Sequence, residues 1–238
     1  KMLVKLLPLL SSLLFKAKRK EICRVMNFTE FTYKISNLKN LELPGVEAQH
    51  KLAPILRINE LSNIDIKAKK PNKAGVMALF YPNNKEITHL VLILRKTYKG
   101  VHSNQVGFPG GRIENFDKNL KYTALRETEE EVGIPQSEVR VIKKLTKLYI
   151  PPSNFWVHPY VGLIDRTPKL IPQESEVEKI LEIDLEDFMD ERNLISQELS
   201  TSYAKNIEVP AFSLNGHVVW GATAMMLSEL KDLMKLAL

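Results

Sequence analysis

Four stretches carry the apolar and β-branched pattern of strands: AGVMALFYP (residues 74–82), THLVLILR (88–95), VRVIKKLTKLYI (139–150) and FWVHPYVGLI (155–164). PNNKE between the first two is turn chemistry and predicts a hairpin. Helical spacing of apolar positions marks FTEFTYKISNLKNL (28–41), EVEKILEIDLEDFMDE (176–191) and GATAMMLSELKDLMKLAL (221–238). In the last of these Ala224, Leu227, Leu230 and Met234 share one side. AQHKLAPILRI (48–58) reads as an extended lead-in to the first strand. Strands arrive in runs instead of alternating strictly with helices, which favours an α+β sandwich on a mixed sheet over a doubly wound parallel fold.

One further helix, over residues 118–132, sits between these strands and breaks the usual economy of surface charge. Glu127 to Glu131 put four carboxylates into five positions, and like charges three and four apart repel. At 100° per residue Leu125, Thr128 and Val132 fall on a core-facing arc, while Glu127, Glu130 and Glu131 fall opposite. Arg126 lies one turn before Glu130 and braces it. Gly133 is placed to end the helix in a left-handed conformation, and Pro135 prevents its resumption. Converging carboxylates suit a hard divalent cation such as Mg²⁺, which takes oxygen ligands and is usually held by one or two carboxylates together with substrate phosphates. Such a cation turns the repulsion into attraction. Gly110 and Gly111, after Pro109, let backbone approach a phosphate or metal closely. Taken singly, a PGG turn and a glutamate-rich helix face are commonplace; their fixed spacing is what points to a site.

Composition bounds the rest. At 238 residues and 44% hydrophobic, the chain is long enough for one sizeable core, with residues 26–238 expected as a single domain. Its one cysteine, Cys23, excludes an internal disulfide and any Cys-rich zinc site, and fits a reducing, cytoplasmic setting. The formal charge of +6 invites a nucleic-acid reading. Seven of the 34 basic side chains and one of the 28 acidic ones fall within residues 1–25, so the remainder carries 27 of each. The domain proper has no basic surplus for nucleic acid. Residues 1–20 join a helical leucine stripe to a basic cluster, too short to span a bilayer. They read as an extension outside the fold, ahead of a second possible start at Met26, with membrane-surface contact as the alternative.

The segment GGRIENFDKNLKYTALRETEEEVGI resembles the signature of Nudix hydrolases, with Gly111, Asp117, Arg126, Glu127, Glu130, Glu131, Gly133 and Ile134 in matching places. Asp117 stands where Glu is usual, Thr128 where an aliphatic is usual, and one extra residue separates Asp117 from Arg126. With that spacing Asp117 reads as a helix cap, and Glu114 is the other candidate for the acidic position. Upstream, HSNQVGFPGGRIENFD is similar to coenzyme A pyrophosphatases of the same superfamily, through His102, Gln105, Val106, Phe108, Pro109, Gly110 and Gly111. Asn104 and Lys96 depart from that pattern.

The resemblance implies a Nudix-like α/β/α sandwich and an Mg²⁺- or Mn²⁺-dependent hydrolase of a nucleoside diphosphate-linked small molecule, with coenzyme A or acyl-CoA first. ADP-ribose, dinucleoside polyphosphates or nucleoside triphosphates are the alternative substrates, and a non-catalytic nucleotide-binding module is the alternative of another class. It implies Glu127, Glu130 and Glu131 as metal ligands with the Gly111 carbonyl, and Arg126 as their orienting cation. Glu176 is the candidate general base, in a loop that also holds Glu174, although surface charges opening a helix explain both equally well. Gln105, Gly110, Ser153 and Asn154 are candidate substrate contacts. Trp156 and Trp220 are expected in the core before any stacking role, and His158 and His217 are read as structural. A monomer or a homodimer is equally compatible with the sequence.

Overall fold

The structure is a computed structural model and describes residues 26–97, 104–199 and 207–238. Three short helices lead in: α1 (Phe28–Ile35), α2 (Gly45–His50) and α3 (Ile55–Asn63). Strands β1 (Asn72–Pro82) and β2 (Thr88–Arg95) follow, then the short β3 (Val106–Gly107) and β4 (Gly110–Arg112), helix α4 (Leu120–Val132), and strands β5 (Arg140–Lys144), β6 (Leu148–Ile150) and β7 (Phe155–Leu163). The chain continues through β8 (Val177–Asp184), α5 (Leu185–Met189), β9 (Leu194–Leu199), β10 (Ile207–Leu214), β11 (His217–Trp220) and α6 (Gly221–Ala237).

β1 is the centre of a mixed sheet, parallel to β7 and antiparallel to β2. β8 lines the far edge of β2, and β5 and β6 line β7. Covered on both faces, β1 is apolar at consecutive positions instead of alternating with polar ones. Its even residues Ala74, Val76, Ala78 and Phe80 pack with Phe28, Phe31 and Ile35 of α1 and with Leu227, Leu230 and Leu233 of α6. Its odd residues Met77, Leu79 and Tyr81 pack with Ala124 and Val132 of α4. The result is the expected α/β/α layering. A separate antiparallel sheet, β11-β10-β9, adds Phe212, Leu214 and Val219 to the α6 side of the core.

The first and second strands pair only from Phe80↔Leu90 to Pro82↔Thr88 and then diverge. β3 fills the wedge by pairing with β2, and β4 by pairing with β1, so Phe108 and Pro109 form the crossing between them. The glycine loop is therefore built into the sheet where its two central strands part.

The hairpin holds: Asn83 Oδ1 accepts from the Lys85 and Ile87 amides at 2.8 and 3.0 Å. Other expectations are corrected. Residues 177–184 form a strand, not a helix; Val177, Leu181 and Ile183 alternate with exposed Glu178 and Glu182, and the open edge of β2 recruits them. Only Leu185–Met189 is helical, capped by Asp184. The segment expected as an extended lead-in instead holds the end of α2 and the start of α3, because Pro54 stands at the cap position, where its missing amide costs the helix nothing and its carbonyl accepts from the Arg57 and Ile58 amides. Residues 139–150 make two strands on one edge of β7, separated by a turn in which the Leu145 amide donates to Pro159 O. Among the described residues no helix is long and apolar enough to cross a membrane. The N-terminal leucine stripe and basic cluster, within residues 1–25, lie outside the described residues.

Candidate active site

Helix α4 starts at Leu120, and its cap is Asn119, whose Oδ1 accepts from the Tyr122 amide at 3.0 Å. Asp117 is not the cap. Gly133 ends the helix in the left-handed region at φ 76°, as its position predicts, with its amide on Glu129 O. The helix lies against β1 at Gly75, where an added Cβ would stand 2.2 Å from Leu120 O. That contact sets how closely the glutamates approach the sheet.

Arg126 is the hub of the helix. Its Nε and Nη2 donate to Asp117 Oδ1 and Oδ2 at 3.0 and 3.1 Å. The same Nη2 reaches Arg112 O at 3.2 Å and Glu127 Oε1 at 2.8 Å, while Nη1 reaches Glu130 Oε2 at 2.8 Å. Asp117 accepts further from Thr123 Oγ1 and the Glu114 amide. Burial pushes the Asp117 carboxyl up, but the bonds from Arg126, Glu114 and Thr123 outweigh it and hold it below the usual range. Asp117 first, then Glu127 and Glu130, hold Arg126 firmly protonated. The shifted acidic residue thus anchors the arginine that orients the glutamates.

The three glutamates occupy different environments, contrary to a common exposed face. Glu130 is half exposed and drawn to Arg126. Glu127 lies over Gly111, where an added Cβ would stand 2.5 Å from its carboxyl carbon. Glu131 is only 1% exposed. Its Oε2 accepts from the Gly110 amide at 2.7 Å, and its Oε1 lies 3.4 Å from Arg95 Nη1 with no hydrogen bond of its own. Leu125, expected in the core, is only partly buried, and Arg126 and Glu131 take the buried places beside Thr128 and Val132. Arg126 is held in by Asp117 and Arg112 O, Glu131 by the Gly110 amide and Arg95, and the 171–173 segment closes over the end of α4 with its Ile171 and Gln173 amides donating to Val132 O and Glu131 O. Burial raises the Glu131 pKa to about 7, against the pull of Arg95 and the Gly110 amide, with Glu127 and Glu176 adding to the rise. Burial also raises Glu127, opposed by Arg126 and reinforced by Glu130 and Glu176.

Glu176 is exposed, and its backbone is tied in by the Lys96 amide on its carbonyl at 2.9 Å. Its charge acts on both Glu127 and Glu131, so it belongs to the same field. Gln105 is half-buried beside β2, its carbonyl accepting from the Arg95 amide at 3.1 Å. Gly110 is buried, and its φ of 147° and tight fit against Gly75 and Val76 admit no side chain. Asn154 sits in the left-handed region, its Oδ1 accepting from Tyr149 OH and its Nδ2 donating to Lys69 O, so its side chain is engaged in closing the turn before β7. Ser153 stands in the same turn with a buried Oγ lacking a hydrogen-bond partner. Trp156 is half-buried against Tyr149, with Lys147 Nζ 4.4 Å from its ring centre. His102 lies outside the described residues. Sequence reasoning missed Arg95, although its place two beyond Ile93, itself two beyond Val91, already assigned it to the α4 face of β2.

Residues 71–202 match the NUDIX domain family. The chain is 32% identical over 164 residues to Nudix hydrolase 22, chloroplastic, of Arabidopsis thaliana, a match covering 66% of this chain and 54% of that protein. It is 33% identical over 141 residues to Uncharacterized Nudix hydrolase NudL of Photorhabdus laumondii, covering 59% and 74%. With Peroxisomal coenzyme A diphosphatase ndx-8 of Caenorhabditis elegans it shares 29% identity over 136 residues, covering 57% and 58%. The chain spans about half the length of the Arabidopsis relatives it matches. A family match of that extent, running through the glycine loop and the glutamate helix, means that the chain belongs to the Nudix family.

Proposed function

We propose that this protein, with residues 26–238 acting as one domain, hydrolyses the diphosphate of coenzyme A or an acyl-CoA to adenosine 3′,5′-bisphosphate and 4′-phosphopantetheine or its acyl form. The observation that carries the reading is the pair of carboxylates at the glycine loop: Glu127 seated over Gly111, and Glu131 buried with one oxygen lacking a hydrogen-bond donor. Among the described residues no three acidic, histidine or cysteine side chains form a ready-made cage, since Arg126 draws Glu127 and Glu130 to itself. An all-oxygen set of one or two committed carboxylates still fits Mg²⁺ or Mn²⁺, whose remaining positions go to water and substrate phosphate. Glu127, Glu131, Glu130 and the Gly111 carbonyl are the groups that would hold it. When bound, the cation neutralises charge on the diphosphate and lowers the pKa of a coordinated water.

The chain's own residues divide the remaining work. Arg126, fixed by Asp117, orients Glu127 and Glu130 through charge-assisted hydrogen bonds. Glu176 takes the proton of the attacking water at its carboxylate as the new P–O bond forms and the bridging P–O bond breaks. Of the candidate substrate contacts Gln105 keeps that role, beside the glycine loop, whereas the polar groups of Gly110 and the Asn154 side chain are engaged within the fold and the Ser153 hydroxyl is buried. Support for coenzyme A comes from the QVGFPGG segment and from the similarity to the nematode coenzyme A diphosphatase. The relatives' names carry three compartments, chloroplastic, mitochondrial and peroxisomal, so a cytoplasmic setting rests on the lone cysteine.

The test is a panel of coenzyme A, ADP-ribose and a dinucleoside polyphosphate, each with and without Mg²⁺, resolved by chromatography. Cleavage of coenzyme A only with the cation is expected. Turnover of ADP-ribose with coenzyme A intact would overturn the substrate, and inertness toward every diphosphate would leave a nucleotide-binding module. Glu130→Gln should slow turnover by about 10²–10³-fold without altering the thermal melt.

A further inference from the structure

We propose that Arg95 is a positioning residue for the cation site: through one hydrogen bond and one ion pair it closes a polar ring with Gly110 and Glu131 that fixes the Glu131 carboxylate against the glycine loop. Three members complete the ring. The Gly110 amide donates to Glu131 Oε2 at 2.7 Å, Arg95 Nη2 donates to the Gly110 carbonyl at 2.8 Å, and Arg95 Nη1 faces Glu131 Oε1 at 3.4 Å. Both polar groups of Gly110 and both ends of the Arg95 fork are thereby committed to one carboxylate and its neighbouring peptide. A guanidinium spans the two acceptors because its donors are fixed in a plane; an ammonium offers a single point of charge.

The backbone around Arg95 shows why this residue has the task. Arg95 ends β2 on the face that α4 covers, after Val91 and Ile93. Its amide donates to Gln105 O, and the next amide, of Lys96, donates to Glu176 O. The chain on either side of the guanidinium is thus tied to the segment entering the glycine loop and to the loop of the candidate base. Glu131 is in turn gripped through its own carbonyl by the Gln173 amide. Rotation of its carboxylate away from Gly110 would leave the buried Gly110 amide unpaired and would break the ion pair with Arg95. What remains open to a ligand is the Oε1 side, which has the ion-pair contact but no hydrogen bond.

This inference rests on Glu131 being a cation ligand, and its test does not depend on hydrolysis. Binding of Mn²⁺ alone to the substrate-free protein, followed by the loss of the free-ion paramagnetic resonance signal, is compared for wild type, Arg95→Lys and Arg95→Met. By analogy with outer partners of metal ligands, Arg95→Lys should weaken Mn²⁺ about 10-fold and Arg95→Met up to about 100-fold. In turnover assays kcat should fall with KM for the diphosphate unchanged. Arg95→Lys keeps a charge beside Glu131, so it serves where Arg95→Met fails to fold. In a Glu131→Gln background Arg95→Lys should have no further effect on Mn²⁺, since it acts through that carboxylate. Unchanged Mn²⁺ affinity with a raised KM would make Arg95 a substrate contact and overturn the proposal, as would additive effects in the double variant. Wild-type protein that binds no Mn²⁺ would overturn it together with the cation site. Loss of Mn²⁺ in the variants, with every diphosphate left intact by wild type, would uphold it and remove the hydrolase reading instead.

Discussion

Asp117 and Glu131 show how far residue type alone reaches. Spacing along the helix already pairs Arg126 with Glu130, four apart, and that contact is present. Asp117 looked like a cap, yet it accepts four hydrogen bonds from Arg126, Thr123 and the Glu114 amide. A loop folds it back beneath the helix, and a contact made through a loop leaves no periodic trace. Asp117→Asn keeps the shape and removes the charge beneath a largely buried guanidinium. The expected loss is about 3 kcal/mol in urea unfolding, as when one partner of a buried pair is removed. An unchanged midpoint would mean that Glu127 and Glu130 suffice to hold Arg126. The Glu131 environment was equally hidden, because Arg95 and Gly110, its partners, lie in different elements.

Among the elements, those with an unambiguous pattern were legible. β2 begins and ends at the residues its apolar run predicted, and α6 shows the anticipated face. Residues 177–184 satisfied both a helical and an alternating reading, and pairing with β2 decided the matter. The position of α4 on the sheet depends on Gly75 having no side chain. Gly75→Ala should therefore lift the start of α4, at a cost of about 1–3 kcal/mol for overpacking, and reduce turnover more than stability by displacing Glu127 and Glu131. Thermal melts and kcat measured side by side check this. A variant with wild-type turnover would show that the helix start moves without its glutamates.

Across the whole molecule, the two-sided burial of β1 makes the fold, and charge placed around its neighbours tunes when the fold survives. His158 pairs with Gly75 across β7 and β1, and burial together with Lys144, Lys147 and Lys73 lowers its pKa from 6.5 to about 4. The unfolded chain therefore takes up this proton first on acidification. The contribution is full above pH 6.5 and is lost as pH falls toward 4. His158→Gln should flatten the profile of melting temperature against pH across that window, more so at low salt, where the lysines are least screened. Parallel profiles would remove His158 from the acid response. The sequence by itself determined what local geometry enforces: the strand and helix periods, the glycine stop after the helix, and the crowding of four carboxylates between Glu127 and Glu131. Only the tertiary structure decided which carboxylate is buried, which lies over Gly111 and which faces solvent, and that Arg95 and Asp117 hold them. The physical reason is range: helix and strand spacing is fixed by backbone torsions a few residues at a time, whereas these environments arise where β1 and β2 diverge and distant segments close over one helix.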